Sequence, residues 1–228
     1  MKKLAIYIPS IEAGGVEKNL FYISAHLLKK NIDLTIVTAN RNKKKFFNNR
    51  INFICPRNNK WNNSSRLIKT LICLGLIITK LPLKKISILS FQSNISAIII
   101  SKIFNLKIII RLNTSTDKYI NNFIKKYFFR IVYSMSDKII VNSLEFKKNL
   151  KDALKLNSIQ IFNPIKKINN NRRSKIGYFS DYKGLKIMSI GRLTDQKDQI
   201  TILKSLNILK KKKINFRFFL IGSGYKFD

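Results

Sequence analysis

Three short stretches hold residue types able to grip a charged or hydroxyl-rich ligand. The densest is Ile190-Gly191-Arg192-Leu193-Thr194-Asp195-Gln196-Lys197-Asp198. A guanidinium and an ammonium on one loop suit a diphosphate, the arginine as a bidentate fork and the lysine as a point charge. In so basic a chain, chance alone also puts two cations on a loop. A second stretch, Arg111-Leu112-Asn113-Thr114-Ser115, offers a cation, an amide and two hydroxyls, enough to hold a sugar or a phosphate. Its other reading is ordinary loop polarity. The third is Gly14-Gly15, where the backbone can approach a ligand closely and a following helix offers free N–H groups to an anion. A plain tight turn explains the doublet equally well. It fits neither the dinucleotide nor the P-loop glycine spacing.

The elements that must carry these loops follow from hydrophobic periodicity. Strands are expected over 4–8, 34–37, 51–54, 86–89, 107–110, 138–141 and 159–162, and helices over 16–30, 64–80, 95–104, 120–133 and 144–154. Solid Ile and Leu runs separated by helices predict a parallel sheet covered on both faces, an α/β doubly wound fold. Such sheets bind ligands beyond the carboxyl ends of their strands, where all three stretches fall. From Asn163 to Gly184 the text turns to Asn, Lys, Arg, Ser and Gly without period, including Asn169-Asn170-Asn171-Arg172-Arg173. That reads as a linker. Strand 186–190, helix 200–209 and strand 216–221 then begin a second unit that ends soon after Gly222-Ser223-Gly224. The expected division is 1–165, a linker 166–185, and an incomplete domain 186–228, whose single βαβ is near the size at which a core stops sustaining itself.

Composition narrows the chemistry. The 228 residues are 45% apolar and 25% charged, ample for a core, and 45 Lys and Arg face 11 acids for a formal charge of +34. With only Glu12, Glu17 and Glu145 as glutamates, a carboxylate-rich calcium or two-metal site is excluded, and the lone His26 excludes a histidine metal centre. Asp-x-Asp does not occur. Cys55 and Cys73 lack CxxC spacing and read as inert apolar fillers of a reduced, cytoplasmic protein. His26 reads as a helix-surface or packing residue, Glu17 as dipole compensation, and Trp61 as a surface aromatic or an interfacial anchor. Lysines spread along the whole chain, with abundant Ile and Asn, are what an A/T-rich coding sequence produces; the surface is nonetheless drawn to anionic lipid or nucleic acid. The greasiest run, Leu67 to Leu83, contains Lys69, Lys80 and Pro82 and is too short and interrupted to span a bilayer. Met1 to Ile11 reads as an opening strand and not a signal peptide, because Pro9 and Glu12 interrupt it.

Taken in order, Gly14-Gly15-Val16-Glu17-Lys18, Val141-Asn142-Ser143, Asn163-Pro164-Ile165, Gly191-Arg192-Leu193 with Gln196-Lys197, and Ile221-Gly222-Ser223-Gly224 resemble glycosyltransferase family 4. These are retaining sugar transferases with two Rossmann-like domains of the GT-B kind. The resemblance runs along nearly the whole chain and is most specific from Ile190 to Gly224. It implies that Arg192 and Lys197 bind the diphosphate of a UDP- or GDP-sugar, with Gly191, Gly222 and Gly224 forming the donor-side loops. Gly14, Gly15, Arg111 and Asn113 would line the cleft and the acceptor side. Members often carry a histidine in the loop after Arg111; this chain has none, and no catalytic residue is assigned. Neither a cofactor nor a metal is expected, since the departing charge is held by cations and helix N-termini.

The implied reaction moves a hexosyl or N-acetylhexosaminyl group to a lipid-linked or polysaccharide acceptor in lipopolysaccharide, capsule or O-antigen synthesis. The expected site of action is cytoplasmic, peripheral on the inner face of the membrane, with the 67–83 helix and the basic surface against anionic lipid. The family's pair of donor-binding glutamates would lie beyond Asp228, so a chain ending there is expected to be inactive alone. The rival class is a basic protein that binds nucleic acid or anionic membrane without enzymatic activity. It lacks the aromatic interleaving of RNA-binding sheets and any zinc or helix-turn-helix signature, so no specific nucleic acid is expected. A non-enzymatic remnant of an interrupted gene is the third reading.

Overall fold

The computed structural model describes residues 3–12, 14–114, 122–165, 177 and 179–224. Contacts divide the chain into two units, 1–166 and 167–228.

The first unit is a seven-stranded sheet in the order β3-β2-β1-β4-β5-β6-β7, every pair parallel. The strands are β1 (Lys3–Tyr7), β2 (Asp33–Val37), β3 (Asn52–Ile54), β4 (Ile86–Ser90), β5 (Lys107–Arg111), β6 (Lys138–Val141) and β7 (Ile159–Gln160). Helices α1 (Gly15–Lys29), α2 (Arg66–Lys80), α3 (Asn94–Ile103), α4 (Phe123–Ser134) and α5 (Leu144–Leu154) alternate with them. Each expected element is present, with ends displaced by only a few residues.

Local chemistry sets those ends. Ser65, Asn122 and Ser143 cap α2, α4 and α5 by accepting from the backbone N–H of Ile68, Lys125 and Phe146, the donors that a helix start leaves unpaired. Ser143 of the Val141-Asn142-Ser143 motif is thus a helix cap. β7 ends after two residues, although Ile161 still donates to the Val141 carbonyl at 2.9 Å. Two 3₁₀ turns, Arg41–Phe46 and Lys60–Asn63, were not legible as elements, because their sequences carry no apolar period.

Handedness decides which face each helix covers. Parallel strands are joined by right-handed crossovers, so the step from β1 to β2 sends α1 to one face, while the steps toward β4, β5, β6 and β7 send α2 to α5 to the other. The core splits accordingly. Cys73, Ile77, Ile98, Val132 and Leu150 pack on Ile88, Ile108 and Ile110, whereas Leu20 and Leu28 of α1, with Phe47 and Ile51, pack on Ile6, Ile36 and Leu89. Over β5 and β6 that second face is thinly covered, and Ile109 and Ile140 are only half-buried.

The second unit pairs β8 (Leu185–Ile190) in parallel with β9 (Phe216–Ile221) through α6 (Gln199–Lys211). Its core is thin: among the described residues only Leu193 and Leu206 are buried hydrophobics. Arg217 braces the strand pair, bonded to Asp181 at 2.7 Å and lying 4.6 Å from the Tyr182 ring.

The sheet centre carries the stability of the first unit. Ile108→Ala, at a fully buried position of β5, should cost about 3 kcal/mol in urea unfolding. Ile103→Ala, at an exposed position of α3, should change it by less than about 0.5 kcal/mol.

Candidate functional site

At the carboxyl edge of the sheet, β1 and β4 are neighbours whose following helices leave to opposite faces. Their loops therefore diverge, opening the kind of crevice where parallel sheets hold ligands. Its walls are residues 8–12 and 14–15 after β1 and the segment Phe91–Asn94 after β4. The first is pinned by side chains from three directions. The Ser10 N–H donates to Gln92 Oε1 at 3.2 Å and the Ile11 N–H to Asn40 Oδ1 at 3.0 Å. Lys69 Nζ, reaching in from α2, donates to Ser10 Oγ at 3.2 Å, and Ser10 Oγ donates onward to Glu12 Oε1 at 3.1 Å.

Lys69 is a buried cation at 6% exposure. Burial lowers its pKa, and the Glu12 carboxylate works against that while Arg66 adds to it. Glu12 pairs with Arg66 at 3.2 Å. Burial alone would raise the Glu12 pKa, but the bond and charge of Arg66, the Ser10 hydroxyl and the Lys69 charge outweigh it and lower the pKa. The loop ahead of the glycines is therefore tied to α2 by a lysine–serine–glutamate–arginine chain.

Gly14 and Gly15 follow at the start of α1. A side-chain carbon at either position would meet nothing within 4 Å, and α1 has no side-chain cap. The first turn thus has no side-chain cap on its N–H groups and no side chain crowding the two glycines, which suits close backbone approach. Glu17, instead of merely facing the helix dipole, pairs with Lys43 at 3.5 Å and ties α1 to the 41–46 turn.

Across the crevice, Ser93 caps α3 in the left-handed region at φ 52°, uncommon for a residue with a side chain. Its hydroxyl and that of Thr70 on α2 lie 2.9 Å apart. Ser90 Oγ donates to Asn94 Oδ1 at 2.7 Å, and Asn94 Nδ2 to the Arg111 carbonyl at 3.2 Å.

Arg111, read from the sequence as facing a ligand, is buried, whereas Asn113 stays half-buried in the loop after β5. Arg111 is 3% exposed, with Nη2 donating to Asn163 Oδ1 at 2.7 Å, its guanidinium 5.9 Å from the Phe91 ring, and Nε without a partner. Burial lowers its pKa. Asn113 Nδ2 donates to the Phe91 carbonyl at 2.8 Å. Both side chains therefore position the Phe91 loop, and Asn163 of the Asn163-Pro164-Ile165 motif is the acceptor that holds Arg111. Ser115 lies outside the described residues.

In the second unit, the loops after β8 and β9 are packed backbone to backbone. The Gly191 N–H donates to the Ile221 carbonyl at 2.9 Å and the Leu193 N–H to the Ser223 carbonyl at 3.0 Å. A side chain on Gly222 would collide with the Gly191 carbonyl, and one on Gly224 with the Leu193 carbonyl. These glycines are demanded by close approach. Lys197 lies along Gly191, its Cε 3.6 Å from where a β-carbon there would sit. Arg192 and Lys197 are both exposed, and their side chains make no hydrogen bond or ion pair with the described residues, while the Arg192 carbonyl accepts from Gln199 at 2.8 Å. The N-terminus of α6 is taken by Asp198, which accepts from both the N–H and the hydroxyl of Thr201. An anion there would meet the two cations and not a free helix end.

Other residues have structural surroundings. Cys73 is buried, and burial pushes its thiol up to about 12. His26 lines an apolar groove with Tyr22, Phe162 and Pro164. No cluster of three potential metal ligands occurs among the described residues. Ser10, Asn40, Lys69 and Gln92 were missed by sequence reasoning; the polar run Ser90-Phe91-Gln92-Ser93-Asn94 was the available signal, but only strand order sets it beside β1.

No protein-family model and no curated protein matches the sequence. Solved structures do match in fold. HepE of Anabaena in complex with UDP is 14% identical over 99% of this chain, TM-score 0.64. TarM of S. aureus is 11% identical over 98% of it, TM-score 0.66, and the lipopolysaccharide outer core galactosyltransferase WaaB 14% identical over 100%, TM-score 0.58. The chain spans 62% of HepE, 62% of WaaB and 73% of TarM. These neighbours are glycosyltransferases of the GT-B architecture, and the α/β fold of this chain is theirs.

Two measurements probe the site's construction. Gly222→Ala should cost the second unit about 2 kcal/mol, because backbone must move, and should raise hydrogen exchange at Gly191 and Leu193; Gly14→Ala should leave exchange and melting unchanged. The Glu12 pairing stabilises the fold fully above its unfolded value near pH 4.5 and fades as pH falls through the lower folded value. The urea midpoint difference between the wild type and Glu12→Gln should therefore shrink from pH 7 to pH 3.

Proposed function

We propose that the chain is part of a family 4, retaining glycosyltransferase that uses a UDP- or GDP-sugar. The first unit bears the acceptor side and the second the donor diphosphate. The observation that carries this reading is the pair of exposed, unpaired cations, Arg192 and Lys197, on a loop held rigid by Gly191, Gly222 and Gly224. A departing diphosphate develops negative charge, and prepositioned cations lower the barrier most when they need not reorganise. Support also comes from the neighbours, among them HepE crystallised with UDP-glucose and the galactosyltransferase WaaB.

In this reading Gly14 and Gly15 let the acceptor approach the α1 backbone. Arg111 and Asn113 act as positioning residues, holding the Phe91 loop and, through the Arg111 carbonyl, Asn94. The group moved is a hexosyl or N-acetylhexosaminyl unit, and the acceptor a lipid-linked or polysaccharide chain of a cell-surface glycan such as lipopolysaccharide, capsule or O-antigen. No helix among the described residues is long and apolar enough to cross a membrane; the proposed location is the cytoplasmic membrane face, held there peripherally.

Because the chain spans only part of its neighbours' length, the test uses a protein whose second unit is continued to that length. Calorimetric titration should give saturable UDP or GDP binding that survives chelator. Arg192→Ala with Lys197→Ala should weaken it at least tenfold without changing the melting temperature; unchanged affinity in the double variant refutes the assigned role.

A further inference from the structure

α4 wears its apolar side outward. Phe123, Ile124, Tyr127, Phe128 and Ile131 are all exposed, Phe123 at 81% and Ile124 at 78%. The opposite side supplies Val132 and Tyr133 to the core, with Phe129 packed against it. At 3.6 residues per turn, the five outward residues fall on one arc of about 140°. Lys126 and Arg130 flank that arc on one edge and Lys125 on the other. A surface helix of a globular protein turns such a stripe inward; here there are two, and the outer one is left exposed among the described residues.

The feature continues onto neighbouring helices. α3 packs between α2 and α4, and Ile103 on α3 and Leu67 and Leu71 on α2 are each more than two-thirds exposed. Single exposed apolar residues are ordinary, but a five-residue stripe on α4 with further exposed apolar residues on the two neighbouring helices marks a contact surface. Charge identifies the partner. α2, α3 and α4 contain no Asp or Glu, and between Asp33 and Asp137 the sequence has a single acid, Asp117. A solvated helix face mixes both signs. One with cations alone around aromatic and aliphatic side chains complements a surface that is negative at its headgroups and apolar beneath them.

We propose that the outward faces of α4, α3 and α2 form an interfacial docking surface for an anionic lipid bilayer, with Phe123, Ile124, Tyr127 and Phe128 entering the headgroup boundary and Lys125, Lys126 and Arg130 pairing with lipid phosphates. The sequence placed lipid contact on the 67–83 helix. The structure moves its centre to α4, because α2 turns Cys73, Leu76 and Ile77 into the core. The inference gives the proposed membrane location its surface, yet stands on helix exposure and charge without needing the transferase reading.

The 228-residue chain should sediment with vesicles of equal parts phosphatidylcholine and phosphatidylglycerol and remain in solution with phosphatidylcholine alone. Each basic group brought to such a surface is worth about fivefold in partition. Lys125→Glu with Lys126→Glu and Arg130→Glu should therefore lower partition by at least roughly a hundredfold, with an unchanged circular dichroism spectrum. Phe123→Ser with Phe128→Ser should lower it about tenfold or more, and Phe128→Trp should shift its emission to the blue on vesicle addition. Wild-type protein left in the supernatant, or a charge-reversed variant that still sediments, overturns the proposal. So does a Phe-to-Ser pair that dissolves a dimer in sedimentation velocity while vesicle partition is unchanged, which gives the face to a second copy. Arg192→Ala with Lys197→Ala should leave vesicle binding intact, so membrane docking and nucleotide binding fail separately.

Discussion

The parallel register that sets Tyr7 beside Ser90, with α1 and α3 leaving to opposite faces, is the constraint from which the first unit's site follows. Two loops that diverge from adjacent strands cannot satisfy each other's backbone through a ladder. Their polar groups must be met by side chains, and unmet ones cost free energy when buried. Ser10, Ile11 and Phe91 are met by Gln92, Asn40 and Asn113. The crevice is thus built from groups brought in by the loops after four different strands, and its shape is stiff where those bonds are and open where Gly14 and Gly15 begin α1.

Buried cations do much of the bracing. Lys69 and Arg111 both lie within a few per cent of full burial, and an ammonium or guanidinium removed from water is costly unless its donors are used. Lys69 is coupled through Ser10 to the Glu12 carboxylate. Arg111 has an amide oxygen and an aromatic face, and its buried Nε is without a partner. The second unit achieves rigidity by the opposite means. Its loops carry exposed charge on a backbone locked by glycines that nothing larger can replace.

The large positive charge is neither uniform nor idle in its consequences. Acids that do occur tend to hold the fold together: Glu12 with Arg66, Glu17 with Lys43, Asp181 with Arg217. Helices α2 to α4 have none at all. A surface of that composition repels its own kind and attracts polyanions, a charged lipid surface among them.

Element type and order were legible residue by residue, because buried parallel strands must be continuous apolar runs and helices must repeat near 3.6. β6, α5 and β9 fall on their expected bounds, and the glycines and cations of the 191–197 and 222–224 loops were visible as types at a spacing. Strand order, however, arises from crossover handedness and packing between segments far apart in sequence. Only the tertiary structure could put Gln92 against Ser10, 82 residues away, or draw Lys69 from a greasy helix into the β1 loop. The same holds for Arg111, which reads as a ligand-facing loop cation and is instead buried. Periodicity reports that a helix has two faces, and α4 shows why that is insufficient: which face turns inward is settled by the neighbours that compete to cover it.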